Sequence, residues 1–287
     1  MTASGTAGHG AELARSFDLS EIGAVVVKSL SAEPWAGNPA PRVHQTPAGM
    51  LNSVGLQNPG VEAWLEHELP ELAARGARVV ASIWGFTVEA YEKAAAMLAG
   101  VGGLVAVEVN VSCPNVEDRR RMFAHSPSAT AEVVEASAAA RLPRWAKLSP
   151  NVTDLTEIAG AALGAGAEAV TLINTLMGMA IDPATRRPRL GAGGGGLSGS
   201  AIHPVAVRAV HDVHAAFPDA PVVGVGGVAT GEDAVELLLA GARAVQVGTA
   251  TFARPKAPAI VLRELARWCR RNHVSTIDEL IGAAHAR

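Results

Sequence analysis

The sequence predicts an α/β fold, a (β/α)8 barrel. Short apolar runs alternate with helix-length amphipathic segments through most of the 287 residues. The runs are nearly continuous in Val, Ile, Leu and Ala, the pattern of strands in a parallel sheet covered on both faces. A Gly-Ala pair recurs at Gly76-Ala77, Gly166-Ala167 and Gly241-Ala242, each time between a helix-length segment and an apolar run. Such repetition marks equivalent αβ junctions, with Gly ending the helix.

The expected strands cover 24–28, 78–83, 104–110, 144–148, 168–173, 221–225 and 243–248. The expected helices cover 61–75, 88–99, 129–141, 154–164, 204–217, 232–240 and 257–271. That makes seven strands where a closed barrel has eight. The absent one is the first: residues 2–5 read as the loop that follows it and 11–17 as its helix. The expectation is one barrel domain over 1–287 with its first strand missing, the N-terminus shortened. Two long segments, 29–60 and 174–199, leave the C-terminal ends of strands and read as loops on the active face.

Composition narrows the function. Hydrophobic residues make up 49% of the chain and aromatic ones 4%, enough aliphatic surface for a large core. The net charge of −3 gives no basic face, which argues against nucleic acid as a partner. No apolar run is long enough to cross a bilayer, and no secretory leader is evident. The two cysteines, Cys113 and Cys269, are far apart and form no CxxC pair. They suit a reducing cytoplasm and cannot supply four thiolates to an iron–sulfur cluster. No metal site is expected.

The chemistry gathers at strand tips. Residues 110–115 read Asn-Val-Ser-Cys-Pro-Asn directly after the run Leu-Val-Ala-Val-Glu-Val. A thiol can move a proton, and amides offer donors and acceptors to a flat polar ring. Lone cysteines are usually inert core residues, and lone asparagines usually shape turns. For the asparagines it is the placement of several at barrel strand ends that shifts the balance. Cys269, in Arg-Trp-Cys-Arg-Arg on the last helix, reads as structural. The basic stretch 118–121 reads first as a solvated flap, with a lid over an anionic ligand as the alternative.

An ordered series of motifs then resembles the dihydroorotate dehydrogenase family. It comprises Thr2-Ala-Ser-Gly-Thr6, Lys28-Ser29, Gly37-Asn38-Pro39, Asn52-Ser-Val-Gly-Leu-Gln-Asn-Pro-Gly60, the hexapeptide 110–115, Lys147-Leu-Ser-Pro150 and Ile173-Asn174-Thr175. Gly195-Gly-Leu-Ser-Gly199, Gly226-Gly227 and Gly248-Thr249 complete it. The resemblance implies oxidation of dihydroorotate to orotate in pyrimidine biosynthesis, with FMN as cofactor. Cys113 would be the base that takes the C5 proton while hydride leaves C6 for the flavin; Ser112 is its rival by proximity. Lys28 would lie between flavin and substrate. Substrate contacts would come from Asn52, Ser53, Val54, Gly55, Leu56, Asn110, Asn115, Asn174 and Thr175. Cofactor contacts would come from Ser4, Lys28, Ser29, Ser82, Asn110, Lys147, Ile173, Gly199, Gly226, Gly227, Gly248 and Thr249.

Cysteine at 113 resembles the soluble class of the family; the membrane-associated class has serine there. The loops over 33–47 and 178–190 are more similar to the subclass that passes electrons through a separate iron–sulfur and FAD subunit to NAD, around a homodimer core. Fumarate is the other acceptor the family uses. The chain departs from the family at Ser82, where Asn is usual, and at the bulky Trp84. Two other readings stay open: a different FMN barrel acting on dihydropyrimidines, and a barrel that lacks a strand and has lost catalysis.

Overall fold

A computed structural model describes residues 1–112 and 122–285. Its thirteen strands, among the described residues, are β1 (Val25–Val26), β2 (Val43–Thr46), β3 (Gly49–Asn52), β4 (Val79–Ile83), β5 (Leu104–Asn110), β6 (Arg144–Lys147), β7 (Ala169–Leu172), β8 (Leu176–Gly178), β9 (Ile181–Asp182), β10 (Arg187–Pro188), β11 (Gly195–Ser198), β12 (Val222–Val225) and β13 (Ala244–Gln246). The α-helices are α1 (Val61–His67), α2 (Leu69–Ala74), α3 (Val88–Ala96), α4 (Pro127–Ala136), α5 (Leu155–Gly164), α6 (His203–Ala216), α7 (Gly231–Ala240), α8 (Ala250–Ala253) and α9 (Ala257–Arg271).

Seven strands form one sheet in the order β1-β4-β5-β6-β7-β12-β13, every neighbour parallel. These are the seven read from the sequence, most of them trimmed by a residue or two. The place of the eighth is taken by Met1–Ala3, which the sequence reading put in a loop. Thr2 bridges Val247 in parallel, Ala3 N–H donates to Val247 O at 2.9 Å, and Val247 N–H donates to Met1 O at 2.9 Å. Towards β1, Thr2 N–H donates to Ala24 O at 3.2 Å, and Val26 N–H donates to the Thr2 hydroxyl at 2.8 Å. Both edges of the sheet thus find partners, which removes the unpaired edges an open barrel would carry.

Helices follow from local chemistry. Thr87, Ser126, Asp154 and Thr230 each accept a backbone N–H at the start of α3, α4, α5 and α7. The expected helix over 61–75 is two: Pro70 lacks an N–H and crowds the preceding turn, so α1 ends at His67 and α2 restarts at Leu69. The repeated Gly-Ala junctions sit as the sequence suggests, with Gly76, Gly166 and Gly241 all at positive φ.

The core lies in two places. The main cluster fills the space between sheet and helices, with Val79, Val107, Val109, Leu148, Val170 and Leu172 facing outward from the strands. A smaller one floors the barrel, built from Ala24, Val26, Val80 and Ala106 with Met1 and Trp145. Above that floor the interior turns polar: Ser82, Glu108, Lys147, Thr171 and Gln246 are all buried.

The segments 29–60 and 174–199 are not plain loops. They meet in a four-stranded antiparallel sheet, β2-β3-β11-β8, on the side where the barrel strands end. The pair β9 and β10 forms a further two-stranded ribbon. Among the described residues no helix is long and apolar enough to cross a membrane.

Candidate active site

A cavity of about 810 Å³ opens between the C-terminal ends of the barrel strands and the four-stranded sheet. That volume suits a cofactor together with a small substrate. Lys28 and Ser29 follow β1, Asn110 closes β5, Lys147 closes β6, and Ile173 to Thr175 follow β7. The strand rule for barrels puts reactive groups in this position.

One hydrogen-bonded chain crosses the cavity floor. Ser82 and Ser29 share a hydrogen bond between hydroxyls at 2.9 Å, Asn110 Nδ2 donates to Ser29 Oγ at 3.2 Å, and Asn174 Nδ2 donates to Asn110 Oδ1 at 3.2 Å. Asn174 Oδ1 accepts from Thr175 N–H at 2.8 Å, and buried Tyr91 donates its hydroxyl to Asn110 O at 2.7 Å. The amides are therefore preset in orientation, which a ring-reading site requires. On the facing sheet, Asn52 donates to Gly196 O at 3.3 Å, across the β3–β11 pairing.

The loop 53–56 closes one end. Gly55 and Leu56 both adopt positive φ, +73° and +63°. Asn38 Nδ2 donates to Ser53 Oγ at 2.8 Å, and Trp35 Nε1 donates to Gly55 O at 3.0 Å. A neighbouring loop thus clamps this one from outside.

The other end is glycine-rich. Gly199, Gly226 and Gly227 have φ of +97°, +138° and +71°. A Cβ on Gly226 would lie 2.7 Å from Ala206 Cβ, and one on Gly227 would lie 2.6 Å from His203 Cβ. Gly248 and Thr249 line the same wall, and the Thr249 hydroxyl donates to Ser198 Oγ at 2.8 Å. Behind the cradle, His203 Nδ1 lies 2.8 Å from Gly226 O and its Nε2 lies 3.0 Å from Glu236. Bare backbone at close approach is what a phosphate group needs.

Every described residue expected from the sequence to contact substrate or cofactor lies on the cavity wall except Ser82. Its short side chain is fully buried and shares its hydrogen bond with Ser29 Oγ, which stands between it and the cavity. Cys113, Asn115 and the basic stretch 118–121 lie outside the described residues. Several wall residues were not anticipated. Ser149 and Asn151 follow β6, and Asn151 donates to Ser149 Oγ and Thr175 O, each at 2.9 Å. Ser198, Ile202 and Phe252 are further examples. For Ser149 and Asn151 the signal was present, since both directly follow a strand tip.

Beneath the cavity, Glu108 on β5 has a fully buried carboxylate, and its Oε1 stands 3.6 Å from Lys147 Nζ. Its Oε2 accepts from Gln246 Nε2 at 2.8 Å. His9, in the first loop of the barrel, is held down to about 4, first by burial and then by the Lys28 charge, against a smaller pull from Glu12. Among the described residues no group of three His, Cys, Asp or Glu could hold a metal ion.

The dihydroorotate dehydrogenase family model matches residues 1–268. The chain belongs to this family. It is 52% identical to the dihydroorotate dehydrogenase B (NAD(+)) catalytic subunit of Desulforudis audaxviator (strain MP104C), over 99% of this chain and 93% of the relative. It is 48% identical to the protein of the same description from Geobacter sp. (strain M21), over 99% and 93%. A putative dihydroorotate dehydrogenase A (fumarate) of Solibacter usitatus (strain Ellin6076) is 47% identical over 98% of this chain and 93% of the relative.

Proposed function

We propose that this cavity holds FMN with its phosphate in the glycine cradle and dihydroorotate under the clamped loop. The chain is a dihydroorotate dehydrogenase, oxidising dihydroorotate to orotate in pyrimidine biosynthesis. The observation that carries the site reading is the convergence of the Asn52, Asn110 and Asn174 amides and Lys28 on one cavity, from its floor and its facing sheet, between a loop of positive-φ residues and a glycine cradle.

The residues divide the work. Backbone N–H groups of Gly199, Gly226, Gly227, Gly248 and Thr249 would hold the phosphate, whose charge suits exposed amide donors. When bound, FMN supplies the hydride acceptor. Ser4, Ser29 and Ile173 line the wall that would receive the ring. Lys147, at the end of β6, would present its ammonium to the edge of the ring where negative charge collects on reduction. The amides of Asn52, Asn110, Asn115 and Asn174 and the Thr175 hydroxyl would read the donor and acceptor pattern of the pyrimidine. Ser53, Val54, Gly55 and Leu56 would enclose its carboxylate, with Lys28 as counter-charge. A site built of such partners discriminates strongly against analogues that lack one of them.

Cys113 would take the proton from C5, delivered to the ring by the loop that leaves β5. Asn110 and Ser112, the described residues that lead into it, already line the cavity. The acceptor beyond the flavin follows the relatives described as B-type catalytic subunits: a partner subunit would carry electrons to NAD. Cys113→Ala tests the centre of this reading. It should retain FMN and lose turnover at pH 7 by about 10²- to 10⁴-fold, the usual worth of a general base. Near-normal turnover would remove Cys113 from that role.

A further inference from the structure

The barrel interior contains a charge that neither packing nor substrate recognition calls for. Glu108 is wholly buried, two residues before Asn110 on the same inward-facing side of β5. A carboxylate taken out of water costs several kcal/mol unless a counter-charge and hydrogen bonds answer it. Here the answer is partial. Gln246 donates to Oε2, while Oε1 has the Lys147 ammonium at 3.6 Å, paired by charge but beyond hydrogen-bonding distance. An apolar side chain of similar volume would fill the same space at no such cost.

Lys147 is itself buried and lines the cavity, so it has the carboxylate on its inner side and the cavity on its outer side. We propose that Glu108 is a positioning residue for Lys147 and, as its counter-charge, sets how strongly that ammonium favours the reduced form of the flavin. This rests on the reading of Lys147 as the cation beside the ring. An ammonium alone would stabilise negative charge arriving on the ring. A carboxylate behind it opposes that effect, and the opposition is felt at short range in a poorly screened interior. Glu108 thereby keeps bound FMN from holding its electrons too tightly to pass them on.

The test is a redox titration of the FMN-loaded enzyme at fixed pH, following the flavin spectrum. Glu108→Gln keeps the shape and the Gln246 contact and removes the charge. It should shift the balance between reduced and oxidised FMN about tenfold towards reduced, a potential about 30 mV more positive for a two-electron couple. Glu108→Asp keeps the charge but withdraws it by one methylene, and should move the potential in the same direction by less. It also carries the test if Glu108→Gln does not fold. A residue that only supports packing would weaken FMN retention and leave the potential in place. An unchanged or more negative potential in whichever of the two variants folds overturns the inference while leaving the assigned reaction intact. A wild-type chain that takes up no FMN, or that oxidises no dihydroorotate, overturns the site reading and this inference with it.

Discussion

At the scale of single residues, the sequence announces what stands at strand tips and hides what stands behind them. Lys28, Asn110, Lys147 and Asn174 were readable because a barrel aims the last residues of its strands at one face. Ser82 lies behind Ser29, whose hydroxyl shares its hydrogen bond, an arrangement the sequence does not report. Glu108 was visible only as one charge within an apolar run; in a strand buried on both faces, that charge had to be paired. Gly55 gives a residue-scale prediction. Its φ of +73° disfavours any side chain, and a Cβ there would lie 2.5 Å from Asn38, which braces Ser53. Gly55→Ala should therefore push the clamped loop outward. The KM for dihydroorotate should rise about 10- to 100-fold, as for displacements of about 1 Å in binding groups, with FMN content unchanged. Steady-state kinetics with flavin quantified per chain would check it; a lost flavin with normal KM would place the loop elsewhere in the mechanism.

At the scale of elements, the barrel strands and helices were legible and the sheet above them was not. Strand runs such as 104–110 and the helix 257–271 carry unbroken patterns and were read to the residue. The segments 29–60 and 174–199 carry prolines and glycines that read as turns. Yet β11 is Gly-Gly-Leu-Ser, a strand with almost no side-chain pattern to detect. Glycine is needed there for another reason: Cβ atoms on Gly195 and Gly196 would overlap Asn52 O and the Thr175 side chain. The first position of the barrel was misread for a related cause. A single residue, Thr2, makes the bridge among the described residues, and two of its three hydrogen bonds towards β1 run through a side-chain hydroxyl that no periodicity reports. Gly49 tests whether the sheet acts as a unit. A methyl there would overlap the Ser198 carbonyl oxygen and press against Gly199. Gly49→Ala should separate β3 from β11, weakening both orotate and FMN binding by about tenfold or more, because the same strands carry Asn52 and adjoin the cradle. The barrel beneath should keep its thermal midpoint to within about 5 °C, the cost being confined to one strand pair. Ligand titrations beside calorimetry would show whether binding and stability part in this way.

At the scale of the whole molecule, the interior is graded from an apolar floor, through a paired polar layer, to an open mouth. This grading ties stability to pH through groups that the catalytic reading leaves aside. His9 is the sharpest case. Among the described residues its buried Nε2 has no hydrogen-bond partner, and Lys28 lies close enough to oppose a second positive charge. Its folded value of about 4 lies below the unfolded value near 6.5. Between those limits the unfolded chain binds a proton that the fold refuses, so stability falls as pH drops from about 6.5 to about 4. His214, also lowered by burial first and by His285, Arg243 and His211 next, acts with the same sign. The lowered carboxylates, exposed Asp18 and Asp154 and half-buried Asp182 among them, lose their contribution only at lower pH. Discounted for its partial exposure, the His9 share is about 1–2 kcal/mol. His9→Gln removes the titration and keeps a polar side chain. Urea unfolding at pH 7 and pH 5, with FMN saturating in both proteins, should show the variant losing less stability than the wild type on acidification. Equal losses would mean that His9 takes up its proton in the fold and that the first loop of the barrel is wetter than its packing implies.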